Sequence, residues 1–171
     1  MNPAIFIDDF ERTENTDELH AILGRALIVA TRFDSMCKAA ALYMALPKAS
    51  LFLASDEARS LLLKKVAEKH RTLSSSIGSL KLPKDVALLL EDANAARNVV
   101  VHELAQGLTG CLDTKTNDEV LVRQVYDVVF ALAYGDVVIS HVISELNNDP
   151  LPNADFLSTY VERVAEWVVE R

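Results

Sequence analysis

The chain has 171 residues, half of them apolar, with only 5 glycines and 5 prolines, which excludes low-complexity disorder and allows one domain with a sizeable core. Its 17 basic and 25 acidic residues leave a net charge of −8. That balance argues against a broad basic face coating long nucleic acid, while leaving room for a small local phosphate site.

Five helices and no strand are predicted: an all-α antiparallel bundle of four long helices plus a short C-terminal fifth, forming a single domain over residues 1–171. The opening MNPAIFIDDFERTEN lacks the basic start and long apolar run of a signal peptide. The first helix is expected from Asn15 to Leu46. Asn15 and Glu18 have capping-box spacing, and Pro47 marks the end. Leu19, Ile22, Leu23, Ala26, Val29, Ala30, Phe33, Cys37, Ala40 and Met44 recur along it at helical spacing. A second helix should run from Ser55 to about Ser75, with Asp56 and Glu57 at its positive end and Lys69, His70 and Arg71 near its negative end.

Pro83 suits the first turn of a third helix that stops near Gly107. After the loop GLTGCLDTKTND, Asn117, Asp118 and Glu119 begin a fourth helix of about 30 residues, ending before NNDP. Its run VVFALAYGDVVISHVI is broken by Asp136 and His141 and falls short of the roughly 20 apolar residues that a bilayer span needs. Asn153 caps the short fifth helix, in which Phe156, Tyr160 and Trp167 are expected in core or dimer packing. Cys37 and Cys111 show no CxxC or framework spacing and are expected as reduced core thiols of a cytosolic protein.

The third helix carries the residues that ask for an explanation. Val86, Leu89, Leu90, Ala93, Val100, Val101 and Leu104 form one stripe, and Arg97 interrupts it. A guanidinium cannot shed its charge, so Arg97 needs a carboxylate, a carbonyl, a phosphate or water. Asp34 and Asp136 are the internal carboxylates considered for it. His102 lies well round the helix from Arg97, on a polar edge with Glu91, Asn94 and Asn98. A structural reading, with Arg97 in an internal ion pair and His102 satisfied in the fold, stands beside a functional one.

The run Arg97-Asn98-Val99-Val100-Val101-His102 resembles the R-x4-6-H motif of the HEPN superfamily (higher eukaryotes and prokaryotes nucleotide-binding domains), including the polar residue after the arginine. The compact helical architecture is similar too. The resemblance implies a metal-independent endoribonuclease without a cofactor, a homodimer in which two motifs face one composite cleft. It implies that Arg97 holds the scissile phosphate, that His102 is general acid or base toward the ribose 2′-hydroxyl, and that Asn98 orients the histidine or binds a phosphate oxygen. Glu91 and Asn94 would be polar support. Proteins of this kind often act as toxins or in phage defence, sometimes with an antitoxin partner. Leu104 stands where the family's paired toxins often carry a tyrosine, so modification at such a tyrosine is not expected.

Arg25 and Arg32, seven apart on the first helix, could line an RNA groove or simply form a solvated face. KKVAEKHR at 64–71 could contact phosphates, although cations at a helix C-terminus already have a structural reason. His20, His70 and His141 lack zinc-like spacing, and there is no Walker A loop, GxGxxG or GxSxG. No metal or membrane association is expected. The alternative function is a non-enzymatic regulator or adaptor: a transcriptional regulator resembling the mannitol operon repressor family, or an antitoxin-like protein-binding module whose acidic surface masks a basic partner.

Overall fold

The computed structural model describes residues 16–46, 55–104 and 118–170 of the chain. These contain six α-helices and no strand: α1 Thr16–Ala45, α2 Asp56–Lys69, α3 Leu73–Ser79, α4 Lys84–His102, α5 Asp118–Asn147 and α6 Ala154–Val169. The all-helical bundle read from periodicity is what forms. In α1, Leu19, Ile22, Ala26, Ala30, Phe33, Cys37, Ala40 and Ala41 are buried at steps of mostly three or four residues.

The segment expected as one helix over Ser55–Ser75 is two. His70 leaves helical geometry at φ −105° and ψ 35°, and Thr72 starts α3 by accepting a hydrogen bond from the Ser75 amide. A hydroxyl at Thr72 offers the backbone a cap, which competes with continuing the helix. Ser55 caps α2 through the Ala58 amide, as its sequence suggests. Asn153 likewise caps α6 through the Asp155 amide, and that helix is 16 residues long.

Pro83 occupies the N-cap of α4 rather than its first turn. The helix ends at His102, short of the expected Gly107, with Glu103 at φ −117° and ψ −48° closing the last turn. Gly107, Cys111, Asn15, Pro47 and Asn117 lie outside the described residues.

α5 is central and packs against α1, α4 and α6. The contacts set directions. Ala93 of α4 faces Gly135 of α5 while Val86 shares a cleft with His141, so α4 and α5 run antiparallel. Val122 and Val169 line one pocket and Leu146 and Leu157 another, so α6 also opposes α5. α2 buries no side chain and, among the described helices, packs mainly against α1. By length and apolarity the stretch Glu119–Asn147 could cross a bilayer, more than its interrupted sequence suggests. Within the fold it packs against α1, α4 and α6 and leaves Val120, Phe130 and Tyr134 exposed.

Small residues let α4 and α5 approach closely. A Cβ on Gly135 would collide with the Ala93 methyl and press on the Phe33 ring, whereas one on Gly24 would meet nothing within 4 Å. Gly135→Ala should therefore lower stability by about 1–3 kcal/mol through overpacking. Gly24→Ala, in mid-α1, should raise it by roughly 0.5–1 kcal/mol through helix propensity. Urea denaturation of the two variants checks the opposite signs.

Candidate anion site at the α1–α4 seam

Two ion-paired clusters stitch α1 to its neighbours. In the first, Arg97 of α4 places Nη2 3.5 Å from Asp34 Oδ2 of α1. The same oxygen takes Lys38 Nζ at 2.9 Å, an i,i+4 pair along α1. Arg97 Nη1 also donates to Asn98 Oδ1 at 3.2 Å. The arginine thus finds an internal anion, Asp34, and not Asp136.

The seam is not sealed. The Arg97 side chain keeps 24% of its surface exposed, Lys38 41% and Asp34 15%. Two cations share one carboxylate, so the cluster holds one unit of positive charge in excess. An arginine offers five N–H donors and forms planar, bidentate contacts with phosphate or carboxylate. The buried Asp34 Oδ1 accepts no hydrogen bond among the described residues, so the carboxylate is itself under-satisfied.

In the second cluster, Arg32 Nε donates to Asp136 Oδ2 at 3.0 Å and the Tyr160 hydroxyl donates to the same oxygen at 2.6 Å. The Asp136 side chain is 3% exposed. This joins α1, α5 and α6 around a carboxylate on the buried side of α5. Arg25 is also used internally: its Nε donates to the Val168 carbonyl at 2.9 Å, and its Nη2 reaches the Glu170 carbonyl. Arg25 and Arg32, expected as one RNA-facing pair, thus anchor different partners at the α1–α6 and α1–α5 contacts.

The polar edge of α4 is only partly assembled. Glu91, Asn98 and His102 are exposed, and His102 is the last residue of the helix. Asn94 instead donates Nδ2 to Ser74 Oγ of α3 at 3.2 Å, tying α4 to the short helix. On the apolar side Leu90, Ala93, Ala96, Val100 and Leu104 are buried. Val86 and Leu89 stay half-open because they line a cleft. Lys38 is the residue of this site that spacing alone did not attach to Arg97. Its signal was the i,i+4 relation to Asp34, which matters only once Asp34 is known to face α4.

Phe156 and Tyr160 stack at 5.6 Å between ring centroids, but Phe156 and Trp167 are about half exposed rather than core. Cys37 is fully buried. Among the described residues no three His, Cys, Asp or Glu side chains converge as metal ligands. No protein-family model matches the chain, and neither a curated protein nor a solved structure is significantly similar to it.

Two protons are held tightly around these carboxylates. Burial, then the hydrogen bond and charge of Asp136, pushes the Tyr160 hydroxyl from 10 up to about 12. Burial, then the charges of Asp34 and Asp136, pushes the Cys37 thiol from 9 up to about 12, so it is an inert core group rather than a nucleophile. Both groups bind protons more strongly folded than unfolded. Their contribution is complete below the unfolded values and is lost as pH climbs toward about 12. Melting temperature should fall steeply over that alkaline interval, and a Cys37→Ala/Tyr160→Phe double variant should show a flatter fall. At neutral pH Tyr160→Phe alone should cost about 1–3 kcal/mol, because it removes a donor from a buried carboxylate.

Proposed function

We propose that the chain is an HEPN-like, metal-independent endoribonuclease that acts as a homodimer, as a toxin or phage-defence component in the cytoplasm. The observation that carries this reading is the partly open guanidinium of Arg97, in a cluster with excess positive charge, on a helix that ends five residues later in an exposed histidine. Along an α-helix those five residues correspond to about 7.5 Å of rise and roughly 140° of rotation. One helix therefore points the two side chains to different faces, which favours a cleft composed from two copies.

In this reading an RNA phosphate competes with Asp34 for Arg97. The guanidinium exchanges one oxyanion for another, and Lys38 keeps Asp34 paired when it is released. His102 removes the proton from the ribose 2′-hydroxyl as that oxygen attacks phosphorus. The bond to the 5′-oxygen breaks, and that oxygen takes up a proton, leaving a 2′,3′-cyclic phosphate and a 5′-hydroxyl. Arg97 stabilises the charge that gathers on the phosphoryl oxygens, and Asn98 steadies the guanidinium to which it is bonded. An antitoxin or regulatory partner would cover this cleft.

A second reading, the non-enzymatic regulator or adaptor, draws on the internal engagement of Arg25, Arg32 and Arg97 and on the net charge of −8. Incubation with total RNA in EDTA separates the two. Wild-type protein should release fragments ending in 2′,3′-cyclic phosphate, and Arg97→Ala and His102→Ala should each slow this by about 10²–10⁴-fold. Cleavage that survives both substitutions, or none from folded dimer across a range of pH, would leave the regulator reading in its place.

A further inference from the structure

A cavity of about 810 Å³ opens between α5, the N-terminal half of α4, the Leu80–Pro83 connection, the end of α1 and α6. Neither Arg97 nor His102 lines it. Its volume falls within the range of about 300–1,000 Å³ typical of clefts that enclose small molecules, and five segments of chain wall it. Buried Leu80 and Val161 contribute apolar surface at its base, with Val86, Leu89, Val138 and Val142 along its sides.

Polar groups occur along one line. On α5, Tyr134, His141 and Glu145 fall at positions i, i+7 and i+11, a single stripe of the helix facing the cavity. Ser158 of α6 joins them. Tyr134 and Glu145 are exposed and His141 half-buried, so the polar groups sit toward the mouth and the apolar ones deeper. Among the described residues Glu145 is the only carboxylate in the lining, which includes no lysine or arginine. No ion pair among the described residues takes up that carboxylate. Core packing accounts for the valines of this stripe but not for a histidine and a glutamate on it.

We infer that this cavity binds a small amphiphilic amine, its apolar body between α4, α5 and α6 and its basic nitrogen at the mouth on Glu145, with Tyr134, His141 and Ser158 as neighbouring hydrogen-bonding groups. An acid of the same shape would set its carboxylate against Glu145 and be rejected. A neutral alcohol would gain the apolar contacts without the charge.

Calorimetric titration of the full chain with decylamine, decanol and decanoate, each below its micellar concentration, tests this. Decylamine should bind one per chain, about tenfold or more tighter than decanol, the scale of one charge-assisted hydrogen bond, with decanoate weakest. Glu145→Gln, an exposed change, should bring decylamine down to the affinity of decanol. Val142→Trp, which fills the cavity, should abolish binding of both, with helical circular dichroism retained. Equal binding of amine and carboxylate, indifference to Glu145→Gln, or no binding to folded wild-type protein (as when another part of the chain or a second copy fills the cleft) overturns the assignment. RNA cleavage does not enter the readout, so this result is independent of the nuclease assay.

Discussion

The bundle depends on how α1 is held to the helices around it, and that is done by carboxylates placed where an apolar helix would ordinarily carry a leucine. Asp136 sits midway along α5 with its side chain almost wholly enclosed. Leaving such a group without donors would be severely destabilising. Arg32 from α1 and Tyr160 from α6 supply those donors on one oxygen. Burying an ion pair contributes little net stability when its desolvation is counted. What it imposes is register: sliding α1 by one turn, about 5.4 Å, would carry Arg32 away and strand Asp136. Two helices are thereby indexed to a third by one side chain.

The same logic governs the α1–α4 seam, and in both clusters one carboxylate oxygen accepts no hydrogen bond among the described residues. Asp34 indexes α4 through Arg97, at 3.5 Å, while its tighter partner is Lys38 on its own helix. Asp136 is more enclosed than Asp34, but its cation Arg32 is 55% exposed against 24% for Arg97. With two cations on one carboxylate, the Asp34 cluster retains positive charge that an outside anion could use. What separates Arg97 from Arg32 as a candidate for phosphate is the second cation: Asp34 carries both Arg97 and Lys38, whereas Asp136 carries Arg32 and the neutral Tyr160 hydroxyl.

The architecture was largely legible in the sequence because it rests on periodicity. The apolar stripe of α1, the caps Ser55 and Asn153, and the length of α5 follow from local rules and are present in the fold. The break at His70–Thr72 was missed because the pattern of charges continued across it, and only the Thr72 hydroxyl signalled a new cap. Of the site, the need of Arg97 for an anion was legible, since it follows from a permanent charge on an apolar stripe. The identity of the anion was not, because it depends on which turn of α1 faces α4. Arg25 and Arg32 show the same limit. Their spacing placed them on one face, yet each reaches a different helix, Arg25 the end of α6 and Arg32 the middle of α5. Sequence spacing fixes which residues share a helix face, but the partner across the interface is set by packing.

An arginine that already has a carboxylate is often taken as evidence against a role in binding, yet the energetics run the other way. An unpaired guanidinium at a half-buried seam would be costly in the free protein. Asp34 removes that cost while holding the guanidinium in place, so in the proposed nuclease an incoming phosphate would find a positioned donor and not a mobile side chain. The exchange is favourable only if Asp34 keeps a partner afterwards, and Lys38, one turn along α1, meets that condition. Under the proposed function the three residues would act as a unit: Asp34 would position Arg97, Lys38 would retain Asp34, and Arg97 would be released to the phosphate. A purely structural pair would need only Asp34 and Arg97, and Lys38 adds a second cation to that carboxylate.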